Sequence, residues 1–525
     1  MVAEQKNKNP KGWEQVSLSQ LGELFCGQSP SSSTVNAEGI GTVYVTGPEQ
    51  WDGKDIISNK WTTDPKRIAP DNSIFITVKG SVGEMFRGNS CAIGRDIYAF
   101  KPSEPLNFEF VYHAIQEGVN EIVLFAKGDI PGISKNHILD HNIYLPSRKT
   151  QDLVVAKIEE LFSELDKGIE RLKTAREQLK VYRQALLKHA FEGKLTEQWR
   201  KDNADKLETA DQLLERIKQE REARYQQQLE EWKAAVKQWE ADGKEGKKPR
   251  RPAAFKELSP ISQIELDVLP VLPDTWTYHR LAEIAQIGSG MSVSKNRKLE
   301  NPIEVPYLRV ANVQRGGLVL DEVKTMLIEE EKLKDHLLEK WDVLFNEGGD
   351  RDKLGRGWVW ESQTEQCITQ NHVFRATTYL GGEMHSKFVS HWGNTHGQDY
   401  FEKGGKQTTN LASINKTVLS MFPVPVPPVE EQEQIITLLE EKISTLESFE
   451  TDIDKSLQMS EALRQSILKK AFSGQLAPQD PDDEPVSLLL DRIAKEKEEA
   501  AAKAKKAKAA KKKPKTTKTS TRKAS

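Results

Sequence analysis

RQALLKHAFEGKL occupies residues 183–195, and RQSILKKAFSGQL occupies residues 464–476, which lie 281 positions later. Between residues 182 and 196, eight of fifteen positions are identical in the second copy. The same shift aligns residues 133–196 with residues 414–477 without a gap. Self-similarity at a fixed spacing indicates an internal duplication, so the chain is predicted to contain two copies of one structural unit.

The duplication continues upstream, although the shift changes along the chain. PKGWEQVSLSQLGELFCG (10–27) matches PDTWTYHRLAEIAQIGSG (273–290) at a shift of 263, and CAIGRDIYAF (91–100) matches CITQNHVFRA (367–376) at a shift of 276. These alignments pair Trp13 with Trp276 and Tyr44 with Tyr307. The middle of each half therefore tolerates insertions, whereas the segment that ends in the repeated motif keeps its length.

Both copies of that segment are predicted to be long helices. In residues 151–192 and 432–473, apolar residues recur at spacings of three and four, and such sustained heptads indicate a coiled coil. A proline precedes each segment, and Gly193 and Gly474 stand where a helix C-cap is expected. At 1.5 Å per residue each helix is about 63 Å long. Two equal helices in one chain are predicted to pack on each other.

Upstream of each helix, short strand-like runs such as SIFITV (73–78) and VPYLRV (305–310) alternate with Gly and Asn turns. The predicted fold class is α+β, with two α/β domains alternating with two long helices packed as a coiled coil in a pseudo-twofold internal repeat. After the first helix, LLERIKQERE (213–222) resembles LLDRIAKEKE (489–498) after the second. The predicted segments are a first α/β domain (1–147), a first helical spacer (148–196), a charged helix with a flexible basic linker (197–269), a second α/β domain (270–428), a second helical spacer (429–477), a short helix (478–500) and a disordered Lys-rich tail (501–525).

Composition places limits on the class of protein. At 525 residues the chain is too long for one ordinary core, and its 30% charged residues fit long solvated helices. Residues 501–525 carry ten Lys and one Arg without an acid, so the rest of the chain has a net charge of −14. Apolar stretches are too short for a membrane span, residues 1–15 lack an apolar signal segment, and three scattered cysteines suit a reducing compartment. A cytoplasmic protein is expected.

The usual catalytic motifs are absent from the sequence. It contains no GxxxxGK[ST] loop, and the Gly-rich stretch at 346–358 is not a GxGxxG turn. An acid-x-Lys triplet at 322–324 is expected to be a chance match to a nuclease motif. His385, His391 and His396 do not have the spacing of a standard zinc site, and we expect them to be surface or hydrogen-bonding residues. The sequence therefore predicts a protein that binds and does not catalyse.

The order of these segments resembles that of the specificity subunits of type I restriction–modification systems, over nearly the whole chain. The residues that carry the resemblance are the helix entries LPSRKTQ (145–151) and VPPVEEQ (426–432), the helix ends RQALLKHAFEGKLTEQWR (183–200) and RQSILKKAFSGQL (464–476), the segments around Trp13 and Trp276, and FNEGGDRDKLGRG (345–357). The duplication of the motifs, together with their order, makes the resemblance specific.

The resemblance implies that each α/β domain is a target-recognition domain for one half of a split double-stranded DNA site, and that the helices are a spacer of fixed length. It implies two docked methyltransferase subunits, joined by restriction translocase–nuclease subunits. S-adenosylmethionine, ATP and Mg²⁺ would bind to those partners, with no cofactor on this non-catalytic chain. The repeated helix ends would be docking surfaces, at Arg183, Leu187, Phe191, Arg464, Leu468 and Phe472. Arg183 and Arg464 have alternatives to docking a partner subunit. Each could contact a DNA backbone, extend its charged end to solvent at the helix end, or pair with a nearby Glu.

Candidate DNA contacts are basic and polar residues near turns, because Arg with guanine and Asn with adenine are favoured major-groove pairs. They are Lys79, Ser81, Arg87 and Arg95 in the first domain, and Arg309, Asn312, Arg315, Arg351, Lys353 and Arg356 in the second. Solvated loop charges are the alternative, and Arg351 could pair with the aspartates on either side of it. Residues 11–146 have a net charge of −5 and residues 270–428 of −2, so positive charge must be focused locally or supplied by partner subunits.

Two other classes of protein remain to be distinguished. A coiled-coil scaffold without DNA specificity would explain the helices but not two duplicated α/β domains. A self-contained nuclease or methyltransferase is disfavoured by the missing motifs. A scaffold would show no sequence-selective DNA binding with any partner, whereas an enzyme would turn over substrate alone.

Overall fold

The computed structural model describes residues 10–126, 132–292, 299, 301–349, 353–407, 412–477 and 480–511. The chain forms two compact units, Met1–Thr174 with Ile453–Ser525 (unit 1) and Ala175–Asp452 (unit 2). Each unit therefore contains one α/β domain, the first part of the long helix that follows it, and the last part of the other long helix.

Helices account for much of the described chain. In chain order they are α1 Leu18–Leu21, α2 Phe108–Val123, α3 Lys135–Leu139, α4 Arg148–Phe191, α5 Glu197–Asp202, α6 Ala210–Ala241, α7 Gln263–Leu266, α8 Leu281–Ile284, α9 Glu330–His336, α10 Glu383–Gly404, α11 Lys416–Ser420, α12 Val429–Phe472 and α13 Val486–Lys511. Short 3₁₀ turns lie at Ser32–Thr34, Pro48–Gln50 and Ala204–Lys206.

The strands are mostly short. They are β1 Glu14–Ser17, β2 Gly22–Cys26, β3 Val35–Asn36, β4 Thr42–Val45, β5 Trp61–Thr62, β6 Ile68–Ala69, β7 Ser73–Thr77, β8 Met85–Gly88, β9 Cys91–Ile93, β10 Ile97–Pro102, β11 Asn142–Leu145, β12 Thr277–Arg280, β13 Ala285–Ser289, β14 Pro302–Leu308, β15 Val313–Gln314, β16 Gly317–Leu318, β17 Lys324–Glu329, β18 Val343–Asn346, β19 Gly348–Gly349, β20 Ile368–Thr369, β21 Val373–Thr378, β22 Lys406–Gln407, β23 Ala412–Ser413 and β24 Pro423–Val426.

The two α/β domains share a strand topology. In unit 1, β2, β10, β7 and β8 form one sheet and β3, β5, β4, β9 and β6 a second; in unit 2, β13, β21 and β18 correspond to the first sheet and β17, β14 and β20 to the second. In both domains a parallel pair has the same register, with Tyr44 opposite Ala92 and Tyr307 opposite Ile368. The alignment of Tyr44 with Tyr307 from the sequence is confirmed by this register.

The first and last strands of each domain pair with each other. β1 pairs antiparallel with β11 in unit 1, and β12 pairs antiparallel with β24 in unit 2. The residue before each first strand is a buried tryptophan, Trp13 or Trp276. The chain therefore enters and leaves each domain at one place, directly before the long helix begins.

The predicted long helices are confirmed, and each spans 44 residues, or about 66 Å. Gly193 and Gly474 follow their ends with φ of 68° and 72°, the left-handed conformation that a glycine C-cap provides. In unit 1 the start of α4 and the end of α12 share one core, which includes Val154, Ile158 and Leu468. In unit 2 the end of α4 and the start of α12 share the other core.

Ion pairs show that the helices run antiparallel. In unit 1 Arg464 of α12 pairs with Asp166 of α4, and in unit 2 Arg183 of α4 lies 3.8 Å from Glu447 and 3.4 Å from Glu450 of α12. Arg183 and Asp166 are related to Arg464 and Glu447 by the 281-residue shift, so the two ion pairs are copies of one contact. The structure therefore favours, for both arginines, the alternative of pairing with a carboxylate over contact with a partner.

A further helix packs on each α/β domain, α6 in unit 2 and α13 in unit 1; we name these the brace helices. Leu213 and Ile217 of α6 are buried in the core of unit 2, and Leu489 and Ile493 of α13 are buried in that of unit 1. Burial of each such side chain contributes about 1.5–3 kcal/mol. The alignment of residues 213–222 with 489–498, at a shift of 276, places these buried positions together. The two brace helices are therefore equivalent in structure as well as in sequence.

The structure corrects the predicted C-terminal boundaries. The predicted short helix at 478–500 begins at Val486 and continues to Lys511, which lies within the segment expected to be disordered. An alanine- and lysine-rich sequence without Gly or Pro favours continued helix over this range. Residues 512–525 lie outside the described residues.

Candidate functional site

In unit 2 the second α/β domain, α12 and the chain after α4 meet at one buried carboxylate. Glu431, in the first turn of α12, is fully buried. It accepts hydrogen bonds from Thr196 Oγ1 at 2.7 Å, Arg200 Nε at 2.8 Å and Trp276 Nε1 at 2.9 Å. The guanidinium of Arg200 also lies 5.6 Å from the Trp276 ring centroid. Because these donors come from separate elements, Glu431 fixes the direction in which the helix leaves the domain.

In unit 1 the two charges at the equivalent junction are exchanged. The cation lies at the start of the long helix α4, and the carboxylate lies in the segment that follows α12. Thr150 occupies the repeat position of Glu431. The carboxylate is supplied instead by Asp483, which accepts from Ser147 Oγ at 2.9 Å and Thr150 Oγ1 at 3.0 Å and lies 3.2 Å from Lys149 Nζ. The segment that follows each long helix is thus joined to the start of the other one.

A glutamine at the start of each long helix makes a second repeated contact. Gln151 and Gln432 are fully buried, and each donates to the carbonyl of the proline five residues earlier, at 3.1 and 2.7 Å. Gln151 Oε1 accepts from the Asn107 N–H at 2.9 Å, and Gln432 Oε1 lies 2.6 Å from His385 Nδ1. The shared Pro and Gln of the helix entries carry the resemblance in sequence, and their role is to hold the helix to its domain.

The three histidines of α10 are structural, and His385 and His391 are not surface residues. Burial lowers the pKa of His385 and His391 to about 4, so both are neutral at pH 7. Neutral His385 is assigned as the donor to Gln432 Oε1, and His396 stacks on Trp392 with ring centroids 4.0 Å apart. Across the described residues, no group of three His, Cys, Asp or Glu could hold a metal ion.

The predicted docking residues at the helix ends belong to the hydrophobic cores. Phe191 is fully buried and packs edge-on against Phe388, with ring centroids 5.3 Å apart. Leu468 is fully buried, and Phe472 packs edge-on against Phe110 at 5.2 Å. The duplication of the helix end is therefore explained by the same packing of long helix against α/β domain in both units.

Other residues of the helix ends do face solvent. Leu187 is half-buried against the core of unit 2. Exposed neighbours in the last turn of each helix are Lys188, His189, Lys469 and Lys470. A partner that docks at the helix ends would contact these side chains, whereas the buried aromatic residues hold the surface in place.

Among the candidate DNA contacts of the first domain, Arg87 is engaged within the chain. It pairs with Glu109 of α2, and its guanidinium lies 5.2 Å from the Tyr112 ring centroid. Arg87 thus joins β8 to α2, and a DNA contact would require breaking this pair. Turn proximity alone does not reveal a carboxylate that lies 22 residues away in sequence.

The other three candidates in the first domain are exposed. Lys79 and Ser81 lie in the turn after β7, where Lys79 forms an isolated bridge to Gly132. The side chain of Arg95 is 76% exposed and its Nε lies 3.7 Å from Asp96. An ion pair this open to solvent contributes little stability, so Arg95 is available to a ligand.

In the second domain Asn312 holds a loop together. Its side chain is 3% exposed, accepts from the Arg309 N–H at 3.0 Å and donates to the carbonyls of Val319 at 2.9 Å and Glu322 at 3.0 Å. The amide of Asn312 thus holds its own loop together, and a base contact would require breaking these hydrogen bonds. Arg309 is also engaged, with Nη2 lying 3.6 Å from a Glu322 carboxylate oxygen.

The structure brings the remaining candidates of this domain near one another. The turn between β15 and β16 meets the loop before Trp358, where Gly316 N–H donates to Gly357 O at 3.3 Å. Arg315 of that turn donates to the carbonyl of Asn394 in α10. In the adjacent loop Lys353 and Arg356 are half-buried, and Arg356 Nε is buried without a hydrogen-bond partner within the described residues. Arg351 lies outside the described residues.

Comparisons with known proteins agree on one family. The family model for the type I restriction modification DNA specificity domain matches residues 10–179 and 273–458, which together are more than half of the chain.

Within the described residues, no helix is both long and apolar enough to cross a lipid bilayer.

Two of the relatives are similar to the chain over most of their length. The chain is 23% identical to the type I restriction enzyme EcoDI specificity subunit of Escherichia coli over 519 residues, covering 94% of this chain and 98% of that protein. It is 22% identical to the EcoKI specificity subunit of Escherichia coli strain K12, covering 84% of each. A solved structure described as "Structural basis underlying complex assembly and conformational transition of the type I R-M system" contains a chain with 16% identity and a TM-score of 0.58, covering 89% of this chain and 99% of that one, and it shows a shared fold. The match of the family model to both halves shows that the chain belongs to the specificity subunits of type I restriction–modification systems.

Proposed function

We propose that this chain reads a split double-stranded DNA target, with one α/β domain on each half-site, and that it catalyses no reaction itself. The observation that carries the proposal is the duplicated attachment of domain to helix. In each unit the first and last strands pair, and a buried glutamine joins the domain to its helix. Two copies of one reader on helices of equal length suit two half-sites at a fixed separation.

Loop residues of each domain are the proposed sources of sequence recognition. In the second domain these are Arg315, Lys353 and Arg356, whose loops meet at Gly316 and Gly357. In the first domain they are the exposed Lys79 and Arg95. Arg recognises guanine by paired hydrogen bonds in the major groove, and Lys supplies contacts to phosphate.

The long helices are the proposed platform for partner subunits. Two methyltransferase subunits would dock at the helix ends, where exposed Lys188 and Lys469 surround buried aromatic residues, and restriction translocase–nuclease subunits would join through them. S-adenosylmethionine, ATP and Mg²⁺ would be bound by those subunits. The similarity to specificity subunits supports this division of labour.

The proposal is tested by co-expressing the chain with the methyltransferase subunit encoded at the same locus and mapping methylated adenines across the genome. We expect a split motif that disappears when the chain is omitted. If the methyltransferase neither associates with the chain nor requires it for any motif, the proposal fails and a scaffold without DNA specificity replaces it.

A further inference from the structure

A concentrated positive segment lies outside both α/β domains. Residues 244–251, KEGKKPRR, carry five basic side chains and one carboxylate, a net charge of +4; we name this segment the basic strip. All five basic residues are exposed, and in the described part of the chain none of them forms an ion pair. Like charges this close together repel one another, and no carboxylate pairs with them among the described residues, so the basic strip suits a ligand of opposite charge.

The sequence predicts a flexible linker here, but the basic strip is held against brace helix α6. Trp232 Nε1 donates to the carbonyl of Pro249 at 3.0 Å. The Arg251 guanidinium lies 5.8 Å from the Trp232 ring centroid, and Lys248 Nζ lies 5.9 Å from that of Trp239. Two tryptophans on one helix face thus fix the path of the basic strip, which a Gly- and Pro-containing sequence does not reveal.

The basic strip also has a fixed position relative to the second domain. Arg224 of α6 bonds both carboxylate oxygens of Glu339 at 2.7 Å, and Lys334 Nζ lies 2.8 Å from Glu231. Just after the strip, the ring of Phe255 stacks under the guanidinium of Arg221, 3.7 Å from its centroid. A positive surface fixed in place can bind a charged ligand without the entropy cost of ordering a loop.

We propose that the basic strip binds the phosphate backbone of the DNA outside the bases that the two domains read. The inference rests on the proposed function, and it answers a charge problem, because residues 270–428 have a net charge of −2. Eight extended residues span at most roughly 26–29 Å, comparable with seven or eight base pairs at about 3.4 Å each. Several phosphates are thus within reach of one strip. The end of the second brace helix and the chain after it are basic too, with ten Lys and one Arg at 501–525.

The test uses the assembled complex with its methyltransferase subunits and the variant K247Q/K248Q/R250Q/R251Q. Binding to a mixed-sequence DNA duplex of about 40 base pairs is measured by fluorescence anisotropy between about 50 and 200 mM salt. Each phosphate contact contributes a slope of about 0.9 in log K against log salt, so the slope becomes shallower by about 2 to 3.6. Target and non-target duplexes weaken alike, and the methylated motif is unchanged because the strip reads no bases.

The matched control exchanges the side chains and keeps the charge, as K247R/K248R/R250K/R251K, and it retains the wild-type salt slope. Wild-type binding with an unchanged slope in the glutamine variant overturns the inference alone. Loss of the methyltransferase from the glutamine variant, with an unchanged slope for complexes that do assemble, also overturns it and makes the strip a protein-docking surface. Absence of DNA binding by the wild-type complex contradicts the proposed function as well.

Discussion

Lengthening both long helices by the same amount tests whether they set the separation of the half-sites. Contacts between the helices pair residue 166 with 464 and residue 183 with 447, and in both pairs the residue numbers sum to 630. The chain positions after Thr174 and after Lys455 correspond to each other by the same sum. Seven residues inserted at both places leave the contacts on either side unchanged, because a heptad preserves the packing face.

The expected shift follows from helix geometry. Seven residues add about 10.5 Å to each helix, and DNA rises about 3.4 Å per base pair, so the gap between half-sites grows by about three base pairs. The half-site sequences themselves stay the same. The assay is genome-wide mapping of methylated adenine in cells that express the variant with its methyltransferase. An unchanged gap in the methylated motif would refute the role of the helices as a ruler.

Inserting the heptad after Thr174 alone is the matched control. It shifts one half of α4 against α12, so either Arg183 or Arg464 loses its carboxylate partner. The buried apolar residues of that half of α4 no longer lie opposite their partners on α12. We expect reduced soluble complex and loss of methylation at every motif. Normal methylation by this variant would contradict the antiparallel packing of the two helices.

Three further predictions concern the helix junctions and buried groups. Glu431→Ala leaves the half-buried Arg200 and the buried Trp276 N–H without their acceptor, so unit 2 loses about 3–5 kcal/mol in urea unfolding. The control Glu430→Ala removes an exposed neighbour and changes the unfolding free energy by less than about 0.5 kcal/mol; equal effects of the two substitutions would contradict the junction. His391 has a pKa of about 4 in the folded protein and about 6.5 in the unfolded chain, so the unfolded chain binds the extra proton and the free energy of unfolding falls as the pH drops from about 6.5 to 4. The variant His391→Gln should show a smaller fall in the free energy of unfolding. An identical pH profile for the variant would exclude protonation of His391 as a cause of the fall. For the partly exposed pair Arg464 and Asp166, a double-mutant cycle should give a coupling of about 0.2–1 kcal/mol, and a coupling above about 2 kcal/mol would show that the pair is shielded from solvent.

The two long helices and the correspondence between the two α/β domains could be predicted from the sequence because each signal occurs twice. Heptad spacing predicts α4 and α12 from local sequence alone, and Tyr44 and Tyr307 align because their strands keep one register in both domains. Gly193 and Gly474 mark helix ends through backbone conformation, which is also local. Features of this kind can be predicted from local sequence, without knowing which segments are in contact in the fold.

The roles of individual polar residues could not be predicted in the same way. Glu431 meets Thr196 and Trp276 across 235 and 155 residues, and no local pattern links them. Arg87 lies near a turn, which favours a DNA contact, yet its side chain pairs with a carboxylate supplied by another element. Asn312 has the side chain of an adenine reader and lies at a turn, but the same amide satisfies three backbone groups of its own loop.

The central claim is that each α/β domain reads one half-site, and a domain replacement tests it most directly. Residues 277–426 are replaced by a copy of residues 14–145, which joins the chain at equivalent points because both domains close with the same pairing of first and last strands. The measurement is the motif of methylated adenines in cells that express this chain with its methyltransferase. If each domain reads one half-site, the methylated motif contains the first half-site twice, in inverted orientation, with the original gap. A motif that keeps the second half-site unchanged would contradict it.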